Sequence, residues 1–218
     1  MITERLRCIL NYVSSEVIAD IGTDHAYIPI ELVKKNRVKR AIAADINEGP
    51  LKIAQKNIKS EGLSDRIETR LGSGISVLEK SEAGQIIIAG MGGELIEFII
   101  KSDIEIAKGS ELLLQPMNNQ YELRKFLMYN GFKIIDEDIA VEGFKVYNIM
   151  RVVCGEAEKF RRDIDYHLPP YLKSNKFYPI LYAKKEREFK KVIRGLERSA
   201  KPDAEKLEKY KEWYKELK

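Results

Sequence analysis

The sequence predicts an α/β fold, a mostly parallel sheet covered by helices with an antiparallel last strand, followed by a C-terminal helical hairpin. Three observations carry that expectation. Over roughly the first 150 residues, short apolar runs that stop at acidic residues or glycines alternate with stretches of helical periodicity. The strand-like stretches 132–141 and 145–153 are separated only by Glu142-Gly143-Phe144, and so short a connection requires antiparallel pairing. From about residue 156 the chain becomes charged and helical in pattern, with Pro169-Pro170 at the break.

The elements follow in order. Residues 16–21 (EVIADI) read as the first strand, and the next helix is expected to start at Pro29, which a first turn tolerates, with Ile30 and Val33 on its face. Residues 38–44 form a second strand ending at Asp45, and Asn47 suits the N-cap of a helix carrying Leu51, Ala54 and Ile58 and stopped by Gly62. Residues 66–71 alternate like a strand, whereas 85–89 (QIIIA) form the continuous apolar run of a strand covered on both faces. The glycines of 90–93 turn the chain into a helix carrying Leu95, Ile96, Ile99 and Ile100. A strand at 111–115 and a helix at about 119–130, closed by Gly131, complete the alternation. The antiparallel last strand is expected at the sheet edge.

In the C-terminal part, residues 178–198 form a helix with Leu181, Phe189, Val192, Ile193 and Leu196 as its apolar stripe. Ser199 to Asp203, with Pro202, reads as a turn, and a second helix offers Leu207, Tyr210, Tyr214 and Leu217 as the other side of the seam. The expected domains are 1–155 and 156–218.

Composition narrows the function classes. With 44% hydrophobic and 33% charged residues the chain is neither disordered nor fibrous, and no apolar run approaches the ~20 residues of a membrane-spanning helix. The N-terminal MITERLRCIL lacks the apolar stretch of a secretory signal, so a cytoplasmic protein is expected. Cys8 and Cys154 are expected to be reduced and packed, and with two histidines in the chain no metal site is expected. Residues 156–218 carry 18 Lys and Arg against 12 Asp and Glu, whereas the rest has a net charge of −2, which points to a polyanionic partner for the basic appendage.

The chemistry collects at strand ends, where open parallel sheets bind ligands. The first strand runs into Asp20-Ile21-Gly22-Thr23-Asp24-His25-Ala26 and the second ends at Asp45, whose carboxylate can accept two ribose hydroxyls. A pyrophosphate cradle wants glycines and no anions. Here Asp24 and Ala26 stand where its later glycines would fall, so the loop repels a diphosphate and suits a cation. S-adenosylmethionine, with its sulfonium, ammonium and ribose, fits that loop better than NAD does. A nicotinamide-dependent oxidoreductase and a non-catalytic RNA-binding protein are the competing classes.

The strings DIGTDHAYIPI at 20–30, ADINEGPLKIAQKNI at 44–58, IAGMGGELI at 88–96 and LQPMNNQYELRKFLMYNGF at 114–132 carry a narrower resemblance. The chain resembles the Rossmann-like class I methyltransferases, and within them the TrmK family, bacterial tRNA methyltransferases that act on N1 of the adenine at position 22. The resemblance implies S-adenosylmethionine as cofactor and tRNA as substrate. It places the methionine moiety near Asp20, Gly22 and His25, the ribose at Asp45, and the adenine near Ile46 and Gly72-Ser73-Gly74. Gly90 and Met91 complete the expected cofactor residues. The acidic residue common after the third strand of related enzymes is replaced by Leu71-Gly72-Ser73-Gly74. The turn Gly90-Met91-Gly92-Gly93 also lacks the Asn/Asp-Pro-Pro-aromatic motif found where exocyclic amines are methylated, which is compatible with attack by a ring nitrogen. Asp24, Gln115 and Asn118 are candidates for bonding the adenine amino group. Lys184, Lys185, Arg187, Lys190, Lys191 and Arg194 are expected to meet RNA phosphates, with Arg124 nearer the site. A different RNA nucleoside is the alternative target.

Overall fold

The computed structural model describes residues 2–201 and 203–218, so Pro202 of the expected turn lies outside the described residues. The chain separates into two compact units, one running to Glu158 and one of Lys159–Lys218.

The first unit runs α1 (Glu4–Asn11), β1 (Val17–Ile21), α2 (Tyr27–Lys34), β2 (Arg40–Asp45), α3 (Glu48–Ser60), β3 (Ile67–Leu71), β4 (Gln85–Met91), α4 (Gly93–Ser102), α5 (Ile104–Lys108), β5 (Glu111–Pro116), α6 (Gln120–Tyr129), β6 (Phe132–Glu142) and β7 (Lys145–Cys154). Among the described residues the strands form one sheet in the order β3-β2-β1-β4-β5-β7-β6. The pairs from β3 to β5 are parallel, and β7 is antiparallel to both neighbours. The last strand is therefore not at the edge as expected; it inserts between β5 and β6. Its residues explain this, since Val146, Tyr147, Ile149, Met150 and Val152 are all buried, whereas β6 exposes Asp136 and Lys133 and tolerates the rim.

The isoleucine run of β4 feeds both faces. Ile86 and Ile88 pack with Ile96, Ile99 and Ile100 of α4 and with Leu123 and Leu127 of α6. Ile87 points the other way, among Ile9 and Leu10 of α1, Leu32 and Val33 of α2 and Ile58 of α3. Each such side chain contributes about 1.5–3 kcal/mol on burial, which holds helices to both sides of the sheet. α2 begins at Tyr27, two residues ahead of the expected Pro29, which sits inside its first turn. Of the apolar residues named on α4, Leu95 is exposed.

The second unit contains α7 (Ile164–His167), a 3-10 segment at Pro170–Ser174, α8 (Tyr178–Glu197) and α9 (Ala204–Leu217). Leu181 and Phe189 of α8 are buried, whereas Val192, Ile193 and Leu196 are only half-buried. On α9 the buried residue is Trp213 rather than Tyr214. Its ring lies 4.4 Å from His167, 5.0 Å from Tyr210 and 5.9 Å from Phe189, and its Nε1 donates to Asp163 Oδ2 at 3.3 Å. The aromatic seam is thus closed by a residue the spacing did not select.

Two further expectations change. Cys154 is exposed rather than packed, while Cys8 is half-buried with its thiol 3.7 Å from Asp138, and burial, then that carboxylate, push it up to about 12. Arg124 is not an RNA contact. Its side chain is 0% exposed, its Nη2 and Nε meet Glu137 at 2.5 and 3.2 Å, and Asn148 Nδ2 donates to the same carboxylate at 2.8 Å. The ion pair ties α6 to β6 and β7 and presents nothing to a phosphate. Arg124→Ala would leave Glu137 buried and charged, a loss of about 3–5 kcal/mol, so thermal unfolding should show Tm lowered by roughly 6–20 °C. A shift under about 2 °C would mean that the pair carries no such weight.

Candidate cofactor and active site

The strand order reverses between β1 and β4, and α2 and α4 leave those strands toward opposite faces, opening a crevice at their carboxyl ends. A cavity of about 460 Å³ lies there, walled by Asp20, Gly22, Thr23, Asp24, Gly90 and Arg5. Small-molecule sites occupy roughly 300–1,000 Å³.

The loop after β1 is wound tightly, because Gly22, Asp24 and Ala26 all take left-handed backbone conformations, with φ of 73°, 51° and 58°. The Gly22 and Thr23 amides donate to the Ala44 carbonyl at 2.8 and 3.0 Å, fixing the loop to β2. At Gly22 a Cβ would come within 2.1 Å of Met91 Cε, so glycine answers both the backbone angle and the close approach of the β4 turn.

Asp20 ends β1 inside the protein. Thr23 Oγ1 donates to its Oδ2 at 2.7 Å. Burial is the largest influence and, with the charge of Asp45 acting against the Thr23 bond, pushes its carboxyl up to about 6. Asp45 is also buried; its Oδ1 accepts the Asn47 amide at 2.8 Å, and its carbonyl accepts the Gly72 amide at 3.0 Å. That second bond brings Gly72-Ser73-Gly74 beside the end of β2. Ile46 and Leu71, at the ends of β2 and β3, are both exposed, an apolar pair fit to flank a flat ring. His25 places its ring 5.2 Å from that of Tyr27 and its Nε2 3.4 Å from Asp24 Oδ2, and its carbonyl accepts Asn57 Nδ2 at 3.0 Å.

The three candidates for bonding the substrate differ in freedom. Asp24 stands on the cavity wall with most of its side chain exposed. Gln115 is buried, and its Oε1 already accepts Arg5 Nη1 at 2.7 Å and the Gly90 amide at 3.1 Å, while its Nε2 donates to the Pro116 carbonyl at 3.1 Å. It clamps the walls together. Asn118 Oδ1 accepts the Gly93 amide at 3.3 Å across the α4 turn, and the N-cap of α6 is Asn119.

Sequence reasoning missed Arg5 and the helix that carries it. The signal was present: Thr3, whose Oγ1 accepts the Leu6 amide at 3.3 Å, precedes Leu6, Ile9, Leu10 and Val13 at helical spacing. In the second unit, Arg187, Lys190, Lys191 and Arg194 line a hollow of about 430 Å³ together with Arg198, which the charge pattern had not singled out. Lys184 and Lys185 instead meet Glu188 at 3.9 and 2.8 Å. Among the described residues there is no cluster of three or more His, Cys, Asp or Glu able to hold a metal, and no helix long and apolar enough to cross a membrane.

Sheet order, acidic loop and cavity define a Rossmann-like methyltransferase domain, and residues 2–150 match the family described as methyltransferase domain. A Bacillus subtilis tRNA (adenine(22)-N(1))-methyltransferase is 36% identical over 159 residues, covering 72% of this chain and 67% of the relative. The chain belongs to that tRNA (adenine(22)-N(1))-methyltransferase family. The structure of a Streptococcus pneumoniae candidate tRNA (m1A22) methyltransferase in complex with S-adenosyl-L-methionine is 34% identical with a TM-score of 0.87, covering 100% of this chain and 99% of that one. M. capricolum TrmK in complex with S-adenosyl-homocysteine is 26% identical with a TM-score of 0.85, covering 100% of this chain and 96% of that one.

The raised carboxyl of Asp20 has a signed consequence. Its folded value of about 6 lies above the ordinary 3.8, so the fold holds this proton more tightly than the unfolded chain does. The associated stability is complete below about pH 4 and is lost as pH rises through about 6, a change of ~2–3 kcal/mol by order of magnitude. Asp20→Asn should therefore raise the Tm of the ligand-free protein at about pH 7.5 by several degrees, read by thermal unfolding; a lowered Tm would refute the assignment.

Proposed function

We propose that the chain transfers a methyl group from S-adenosylmethionine to N1 of adenine 22 in bacterial tRNA. The observation that carries the reading is Asp20, a carboxylate buried at the cavity floor whose charged neighbour is a second carboxylate, Asp45. Such a pair favours a cationic ligand and opposes a diphosphate. The cavity, the glycine turns at 22 and 90 and the acidic wall fit that cofactor. When bound, it supplies a methyl group activated by an adjacent sulfonium.

The chain's own residues then have these roles. Asp20, with Thr23 behind it, draws the cationic part of the donor, and Asp45 offers a carboxylate to the ribose hydroxyls. Ile46, Leu71 and the 72–74 turn flank the adenine ring of the donor. Gly22, Gly90 and Met91 bring two backbone turns close to its centre, while His25 fixes the loop through Asn57 and Tyr27. Gln115 and Asn118 are positioning residues for the β4 turn, which leaves Asp24 to accept a hydrogen bond from the target's amino group and offset positive charge as it develops. Adenine N1 has an in-plane lone pair and needs no base to reveal it. Alignment is therefore the main contribution, and well-executed positioning supplies about 7–11 kcal/mol.

The basic hollow of the second unit supports tRNA as the substrate. Arg187, Lys190, Lys191, Arg194 and Arg198 form a side-chain cluster of the kind that follows a phosphate backbone. A tRNA substrate would place the protein in the cytoplasm.

Labelled S-adenosylmethionine and unmodified tRNA transcript should give one methyl group mapping to N1 of adenine 22, and a product on another nucleoside would favour the alternative target. Because the donor is cationic, its affinity measured by calorimetry should fall by up to tenfold per pH unit below about 6, where Asp20 takes up its proton. Asp24→Asn should lower kcat at least tenfold while the Kd for S-adenosylmethionine changes less than threefold; an unchanged kcat would remove Asp24 from the chemistry. Lys191→Glu with Arg194→Glu should weaken tRNA binding and flatten the log–log salt dependence by about 0.7 for each phosphate no longer neutralised.

A further inference from the structure

The β6–β7 hairpin ends in an aromatic side chain that the fold does not use. Phe144 is 104% exposed, more open to solvent than the other exposed large apolar side chains among the described residues. It follows Gly143, whose φ of 56° makes the tight turn, and it precedes the exposed Lys145. A phenylalanine held wholly in water at a turn gains nothing from folding.

The position of the tip gives it a use. β6 and β5 are both antiparallel to β7, so β6 points the same way as β5 and its end lies on the cavity side of the sheet. The last β5–β7 pair is Leu114 with Met150, and β7 starts five residues earlier at Lys145. At about 3.3 Å per residue the hairpin stands roughly 16 Å beyond the end of that pairing. It is anchored to the cavity wall there, because Glu142 Oε1 accepts the Arg5 amide at 2.6 Å and bonds the side chain of Thr3, and both Thr3 and Arg5 line the cavity. Phe144 is two residues past that anchor.

We propose that Phe144 stacks on a base of the tRNA beside the target adenine, holding the RNA at the cavity mouth. This rests on the tRNA substrate proposed above. An RNA partner accounts for the tip better than a protein does. A protein interface needs a patch of apolar side chains, commonly ~800 Å² on each partner, and the residues around Phe144 are Glu142, Gly143 and Lys145. A nucleobase needs a single ring, and the adjacent Lys145 suits the phosphate next to it. Modified positions in RNA are reached through unstacked bases, which leaves neighbouring base faces open to such a contact.

The test compares wild type, Phe144→Ala, Phe144→Leu and Phe144→Trp in full-length protein. Each is assayed for S-adenosylmethionine affinity, tRNA affinity, methylation rate and sedimentation. Phe144→Ala is expected to keep cofactor affinity and Tm while losing about tenfold in tRNA affinity or kcat/KM. Phe144→Trp should restore the loss, and its added indole should be quenched by tRNA; Phe144→Leu should not restore it. Full activity of Phe144→Ala, or equal rescue by leucine, would overturn the stacking role. So would a change in sedimentation with methylation intact, which would assign the tip to self-association. A wild-type protein inert on tRNA would overturn the substrate reading itself and this inference with it.

Discussion

Burying Asp20 at the end of β1 is the constraint around which the first unit is arranged. Desolvating a carboxylate is unfavourable, and a second buried carboxylate, Asp45, adds to the cost. The sheet offsets it with apolar strands on either side of β1: residues 41–44 of β2 and Ile86, Ile87 and Ile88 of β4 are almost fully buried and fix where β1 ends. Thr23 then returns one hydrogen bond, and the left-handed turn at Gly22 lets the chain curl tightly enough for Thr23 to reach back three residues. The result is a site whose charge is established before any ligand arrives. Layouts of this kind commonly bind anionic dinucleotides; a carboxylate, Asp24, in place of a glycine and the buried Asp20 beside it favour a ligand of the opposite sign without altering the sheet.

A second linkage joins parts of the chain distant in sequence. Arg5 of α1 donates to Gln115 of β5, which also holds the Gly90 amide of β4, and the Arg5 guanidinium lies 5.7 Å from the centre of the Tyr147 ring on β7. One buried amide thereby sets the relation between the N-terminal helix and the turn that faces the cofactor cavity. Gln115 performs this by having both of its acceptor positions and a donor occupied, which is why it suits positioning better than contact with a substrate. Glu142 extends the same linkage to the hairpin tip through the Arg5 backbone.

Much of this was legible in the sequence, and the exceptions have physical causes. The strands of the parallel sheet stand out because burial on both faces demands continuous apolar runs, and the places of Asp20, Gly22 and Asp45 at strand ends were legible because those residues close the apolar runs. Strand order is different. No local periodicity records that β7 lies inside β6, and only the unequal polarity of the two strands hints at it. Arg124 misled for a related reason: a guanidinium reads as surface until its partner is known, and Glu137 lies 13 residues away on another element. Trp213 was passed over because one residue on a helix is a rotation of about 100°, enough to exchange a seam position for its flank. Arg5 was lost with its helix, whose eight residues are too few for periodicity to dominate.

The proposed function sets two different demands that one surface could not meet well. Under the proposed tRNA reading, phosphate contacts supply affinity that is long-ranged and indifferent to sequence, so basic side chains on one helix suffice, and ion pairs within α8 orient two of its lysines, Lys185 to Glu188 and Lys190 to Glu186. Methyl transfer needs the opposite, a rigid hollow in which displacements of about 1 Å matter. Rigid walls come from buried, well-bonded groups such as Gln115, and such groups cannot also reach outward for RNA. The proposed function therefore assigns contact with the base to the rim, where Asp24 lines the cavity and the β4 turn is glycine throughout except for Met91. A ring nitrogen with its own lone pair is the acceptor that such a rim can serve, because it requires close approach and alignment more than it requires a base.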